Sequence, residues 1–185
     1  GVAYSQTFTA SGGIAPYTYT LTGALPAGLT FNAATGTLGG TPTVAGTFNF
    51  SVTATDSTTG TAGTVTIAYT LVLSAPTIVI NPSTVPGVMF SVPYNQVLTA
   101  IGGTAPYTFA ISAGALPPGV TLSSSGTLRG AATATGTFTF TVRAADALGF
   151  TGTRAYVIGV VPRPDPSRDP EVNGLLDAQA DSTQI

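Results

Sequence analysis

The sequence contains no cysteine, no histidine, no tryptophan and no lysine. Each absence closes a class of chemistry. Without Cys and His there is no zinc site, no iron–sulfur cluster, no haem axial His and no Ser-His-Asp triad. Without Lys there is no Schiff base and no P-loop lysine. Charged residues make up 6% of the 185 positions, against about 25% in an ordinary globular domain. Five basic residues, all Arg, cannot build the dense positive surface that nucleic-acid binding needs. No apolar run approaches the ~18 residues of a membrane helix, and the first residues do not form a charged region leading into an apolar one. Enzymatic activity, a nucleic-acid partner and membrane insertion of this segment are therefore not expected, and the opening residues read like the interior of a longer or processed chain.

What is present points to folded β structure. A hydrophobic fraction of 43% with a net charge of −2 is far from the polar, highly charged composition of a disordered chain. Thr and Val are abundant, and 23 Gly and 14 Pro are spread as punctuation, the profile of strands joined by tight turns. Residues 1–162 hold only Asp56, Asp146, Arg129, Arg143 and Arg154, a net charge of +1. Residues 163–185 hold Arg163, Arg168, Asp165, Asp169, Glu171, Asp177 and Asp181, a net charge of −3. That break marks a boundary between a nearly neutral body and an acidic tail.

The body is a duplication. Tyr4-Ser5-Gln6 is matched by Tyr94-Asn95-Gln96, and Gly12-Gly13-Ile14-Ala15-Pro16-Tyr17 by Gly102-Gly103-Thr104-Ala105-Pro106-Tyr107. Gly46-Thr47-Phe48-Asn49-Phe50 is matched by Gly136-Thr137-Phe138-Thr139-Phe140, so one domain of about ninety residues occurs twice. Within each copy apolar residues alternate with Thr and Ser. Tyr17, Tyr19 and Leu21 form one such run, Phe48, Phe50, Val52 and Ala54 a second, and Val65, Ile67, Tyr69, Leu71 and Leu73 a third. This period of two predicts strands with one buried face, and about seven short strands per copy predict an immunoglobulin-like sandwich. Copy two opens with Thr77-Ile78-Val79-Ile80-Asn81-Pro82 and Val85-Pro86-Gly87-Val88, whereas copy one starts at Gly1, aligned with Ser91. Either the chain is a piece of a longer array, or a neighbouring subunit supplies the first strand by β-augmentation.

The string GG-x-APYTY…GALPAGLTF…ATGTLGGTP…AGTFNFSVTATD resembles the putative Ig domain family, a cadherin-like module that occurs in tandem in large bacterial surface and secreted proteins. The resemblance covers residues 1–162 and implies a sandwich fold and a surface role. Copy two departs from the pattern at Arg129-Gly130-Ala131-Ala132, where copy one has Gly39-Gly40-Thr41-Pro42, which is expected to change a loop and not the fold. Beyond it, Pro162-Arg163-Pro164-Asp165-Pro166 cannot continue a central strand. Asp169 as N-cap, Pro170, Glu171 and the spacing of Val172, Leu175, Leu176 and Ala180 then predict a short α-helix. That tail resembles the passage from repeats to outer-membrane barrel in some autotransporters.

Few side chains are candidates for a site. Asp56 and Asp146 are the only carboxylates of the body. As in cadherin-like proteins they would suggest calcium, but calcium takes six to eight oxygens, so one Asp per domain suffices only with ligands from a neighbour. The competing reading is an Asx-type turn, Asp56 accepting backbone N–H bonds from Ser57-Thr58-Thr59-Gly60. Lying at equivalent points of separate domains, the two also cannot act as a glycosidase pair, whose carboxyl groups sit ~5–9.5 Å apart. The glycine pairs neither open a helix nor carry a base, which excludes phosphate loops. Tyr17 and Tyr107, with Tyr19 and Phe109, are either core or a sugar-stacking platform, and alternation with Thr favours core. The Thr rows read as the outward face of an uncharged sheet.

The expectation is therefore all-β: sandwiches at 1–75 (lacking its first strand) and 76–162, then a Pro-rich linker and short helix at 163–185. The expected function is a non-catalytic structural or adhesive segment of a bacterial surface or secreted protein, without a cofactor, that can assemble head-to-tail by strand complementation. Its expected partners are neighbouring repeats or identical subunits, with host or matrix glycans as further candidates. The alternative is a carbohydrate-binding accessory module of a secreted enzyme.

Overall fold

The computed structural model describes residues 2–164. The predicted linker and helix, and the autotransporter-like tail, fall beyond Pro164 and so lie outside the described residues. The chain divides into two compact units, one comprising Gly1–Val79, Ile101–Tyr107 and Ala145–Gly152, the other Ile80–Ala100, Thr108–Ala144 and Thr153 onward. All regular elements among the described residues are strands.

The first repeat contributes β1 (Tyr4–Thr7), β2 (Thr18–Gly23), β3 (Leu29–Asn32), β4 (Thr37–Gly40), β5 (Gly46–Thr55) and β6 (Thr64–Leu73). They form two antiparallel sheets, β1-β4-β3 and β2-β5-β6. Alternation sets which side of each strand faces inward. Tyr19 on β2, Leu38 on β4 and Phe50, Val52 and Ala54 on β5 are buried, and with Leu29 they form the core, against which Phe8, Phe31, Tyr69 and Leu71 pack. Phe8 lies edge-on to Phe50, with centroids 6.4 Å apart, and 4.8 Å from the ring of Tyr69. The outward Thr residues bond across strands, Thr53 to Thr66 at 2.8 Å and Thr7 to Thr37 at 3.2 Å. Such pairs supply the cross-strand attraction that an uncharged sheet cannot obtain from ion pairs.

The second repeat contributes β7 (Val79–Asn81), β8 (Val88–Met89), β9 (Pro93–Val97), β10 (Thr99–Ile101), β11 (Thr108–Gly114), β12 (Val120–Leu122), β13 (Thr127–Ala131), β14 (Gly136–Ala145) and β15 (Thr151–Val161). Its sheets run β12-β13-β9 and β11-β14-β15-β8, with β7 and β10 as a separate pair. Six strands in one repeat and nine in the other replace the expected seven in each. The extra three come from the opening segment: β8 joins β15 in parallel, and β7 turns Thr99–Ile101 into a strand. The departure at Arg129-Gly130 leaves the fold intact, since Tyr94 pairs with Gly130 as Tyr4 pairs with Gly40.

A second difference from the alternation pattern concerns β6. Its core-side residues Tyr69, Leu71 and Leu73 are half-buried, but Val65 and Ile67, on the same side, are 52% and 50% exposed. An inward period of two marks a face, but it cannot say whether anything covers that face.

One close approach demands glycine. Gly40 has φ +135°, and a Cβ there would collide with the carbonyl oxygen of Gly28, itself at φ +90°. Gly130 and Gly119 repeat the arrangement in the second copy. Leu38, next to this crossing, has no exposed surface. Leu38→Ala is expected to destabilise the first repeat by about 2–5 kcal/mol, a transfer loss plus a cavity, whereas Val72→Ala on the exposed side should stay within about 0.5 kcal/mol. Urea unfolding of both variants checks this.

Candidate functional site

The side chains singled out from the sequence converge at one end of each repeat, on the turn that carries the glycine pair. In the first repeat that turn precedes β2 and contains Ala15-Pro16, a cis peptide. The carboxylate of Asp56, just after β5, holds it. Oδ2 accepts the Ile14 N–H at 3.3 Å and the Thr58 hydroxyl at 2.9 Å, and Oδ1 accepts the N–H groups of Thr58 at 3.2 Å and Gly63 at 2.8 Å. Ser57 reinforces the link from its backbone and side chain: its N–H donates to the Ile14 carbonyl, and its hydroxyl is placed 2.9 Å from both the Ile14 and Ala15 carbonyls. A Cβ at Gly13 would lie 2.6 Å from Asp56 Oδ2, so this glycine makes room for the carboxylate.

Asp146 does the same work in the second repeat. Oδ2 accepts the Thr104 N–H at 2.9 Å, and Oδ1 accepts Leu148 at 3.0 Å and Phe150 at 2.8 Å. The Ala147 N–H donates to the Thr104 carbonyl at 2.8 Å. The loop from the carboxylate to its last donor runs 56–63 in the first repeat and 146–150 in the second. The loop has changed length while the reach back to the glycine turn, 42 residues in both copies, has not.

Both carboxyls titrate below the ordinary range. For Asp56 the Thr58 hydroxyl contributes most, partial burial opposes it, and the N–H groups of Gly63, Thr58 and Ile14 add to the lowering. For Asp146 burial is the largest influence and pushes upward, but the N–H groups of Thr104, Phe150, Leu148 and Gly149 together outweigh it. Hydrogen bonds donated to a carboxylate favour its charged form.

The tyrosines belong to the same construction. The Gly13 N–H donates to the Tyr17 hydroxyl and the Gly103 N–H to the Tyr107 hydroxyl, both at 2.9 Å. Both tyrosines are half-buried, and the Tyr17 ring packs against the first core, while Tyr19 and Phe109 are buried. A concavity of about 180 Å³ beside the clasp is lined by Gly12, Gly13, Tyr17, Asp56, Gly63 and Val65 among others. No group of three or more His, Cys, Asp or Glu occurs among the described residues. Chemically the arrangement orients backbone, each carboxylate oxygen accepting at least one N–H or O–H bond from the chain itself.

Sequence reasoning placed the Asp56 bonds within its own turn and missed the longer link to Ile14, as well as the tyrosine bond to glycine. A signal for the link was available. The 43-residue separation of Gly13 from Asp56 recurs between Gly103 and Asp146, although the adjoining loop changes length.

Because the folded carboxyls titrate below the unfolded value of about 3.9, their contribution is complete above that value and is lost as pH falls through the folded pKa. The Tm is expected to be level between pH 7 and about 5 and to fall steeply below about 4. Asp56→Asn and Asp146→Asn should each lower the Tm at pH 7 and flatten that acid limb. EDTA should leave the Tm at pH 7 unchanged, because the carboxylate oxygens are occupied by donors of the chain itself. Calorimetry across the pH range checks all three.

The family model of the putative Ig domain matches residues 1–72 and 76–161. No curated protein matches the chain. Among solved structures, a putative α-galactosidase/melibiase from Bacteroides fragilis is 26% identical, over 45% of this chain and 17% of its own, with a TM-score of 0.39. Protocadherin gamma B2 extracellular cadherin domains 3–6 are 11% identical over 80% of this chain and 44% of theirs, TM-score 0.40. Mouse cadherin-23 EC22–24 is 16% identical over 78% of this chain and 54% of its own, TM-score 0.36. The chain thus spans less than a fifth of the length of that galactosidase. Matched twice by the family model over most of its length, the chain belongs to the putative Ig domain family and carries two of its immunoglobulin-like repeats in tandem.

Proposed function

We propose that the chain is a non-catalytic structural or adhesive segment of a bacterial surface or secreted protein, built of domains at 1–75 and 76–162 that associate with neighbouring repeats. One observation carries the reading. The carboxylates of the two repeat bodies are engaged in holding backbone, Asp56 on Ile14, Thr58 and Gly63, and Asp146 on Thr104, Leu148 and Phe150. The sequence also has no Lys, His or Cys, the side chains most often used as base or nucleophile beside carboxylates and hydroxyls. What remains outward on the first repeat is uncharged and rich in Thr, while the second repeat exposes Arg129 and Arg143, a surface suited to packing against other weakly charged surfaces. Membership of a family whose members are typically non-catalytic agrees with this. No helix among the described residues is long and apolar enough to cross a membrane.

Pulling the chain between its ends is expected to give two separate unfolding events of similar contour length, one per repeat, at roughly 3.3–3.6 Å per released residue. A glycan array is expected to show no saturable binding. Saturable binding that Tyr17→Ala or Tyr107→Ala abolishes, with folding intact, would replace this reading by that of a carbohydrate-binding module.

A further inference from the structure

In the second repeat the segment Pro82–Ser91 runs beside β15 and in the same direction. Near one end of this seam the Pro82 carbonyl accepts the Tyr156 hydroxyl at 2.7 Å. At the other end β8 pairs in parallel with β15, Val88 opposite Val160 and Met89 opposite Val161. The Phe90 N–H then donates to the Val161 carbonyl at 2.8 Å. Ser91, at φ +57°, turns the chain toward β9 in the other sheet, and its N–H donates to the Ala132 carbonyl at 2.9 Å. Both sheets of the repeat therefore hold one short segment.

The chain enters this segment ahead of Pro82 and leaves the repeat past Val161 through Pro162. Because β8 and β15 are parallel, entry and exit lie at opposite ends of the seam. Tension along the chain draws the segment back toward Pro82 and draws β15 on toward Pro162. The two strands are then pulled along each other, and the bonds between them are loaded together. Two strands pulled apart from the same end would instead lose their bonds one after another. Side chains fix the register as well. Val88 is 7% exposed and Met89 45%, and a slip of one residue would exchange the faces they occupy. Tyr156, Ile158 and Val160 on β15 are buried with Val88.

We propose that the second repeat resists tension along the chain, and that the seam between Pro82–Ser91 and β15 is the element that holds. The Tyr156, β8 and Phe90 contacts join the entering segment directly to the departing strand, so the seam gives way before the rest of the repeat extends. This deepens the reading of the chain as a structural segment, on which it rests, by naming the force it withstands and where. The number of unfolding events and the glycan array test that reading, whereas the dependence on pulling direction tests the seam alone.

The experiment is force-clamp spectroscopy on the full chain. The sequence has no Cys, so introduced cysteines define the points of attachment, and Thr84, Ala155 and Pro162 are exposed. Attachment through Thr84→Cys and Pro162→Cys shears the seam, while Thr84→Cys and Ala155→Cys pull it open from one end. At equal force the sheared seam should last about ten-fold longer or more, since bonds that yield together contribute to one barrier. With the chain pulled between its ends, Tyr156→Phe should shorten the lifetime of one of the two unfolding events by about two- to ten-fold, the loss of one hydrogen bond. Leu38→Ala should change the other event and so identify it. Leu128→Ala, in the core away from the seam, should cost more stability in urea than Tyr156→Phe but shorten the lifetime under force less. If Leu128→Ala fails to fold, the comparison of directions still decides. Equal lifetimes in the two directions, a longer life when pulled open from one end, or lifetimes under force that simply follow urea stability overturn the proposal.

Discussion

A carboxylate satisfied by the backbone of its own domain is the constraint on which each repeat depends. Asp56 and Asp146 stand just after β5 and its counterpart β14, and each reaches back 42 residues to the glycine turn. A charge held in this way needs several donors at once, because leaving a carboxylate partly desolvated and unbonded is costly. The surrounding residues are chosen to meet that need. Gly13 and Gly103 clear the space, Tyr17 and Tyr107 accept the N–H groups of those glycines, and the loop behind the Asp supplies the remaining donors. The motif therefore ties the glycine turn to the loop after the Asp at one end of each sandwich.

The same economy governs the surface. With almost no charge on the repeat bodies, the outward faces rely on Thr hydroxyls, which bond across strands as Thr53 does to Thr66. Such a surface neither repels its own kind nor steers a charged ligand. The contrast between β6 and β15 shows how much one opening segment changes: where that segment is present, Tyr156 and Ile158 are sealed, and where it is not, Tyr69 and Leu71 are half-open.

Much of the fold was legible because the repeat pairs its signals. Alternation marked the cores around Tyr19, Phe50 and Phe140, and the recurring glycines marked the turns. Alternation alone would cover Val65 and Ile67 as well, yet both are about half exposed, since period-two patterning records which side a residue faces and is silent about what lies over it. Asp56 was read as a local turn residue because Asx turns are local in sequence, while its bond to Ile14 exists only once two loops have been brought together.

The sequence by itself determined the class of molecule: two all-β repeats, without His, Cys or Lys and with one acid in each body. It could do so because composition and periodicity are properties of the chain alone. Tertiary structure alone decided what that acid does and which faces are closed. Both depend on segments distant in sequence, Asp146 with Thr104 and Pro82 with Tyr156, and a long-range contact leaves no period for the sequence to display.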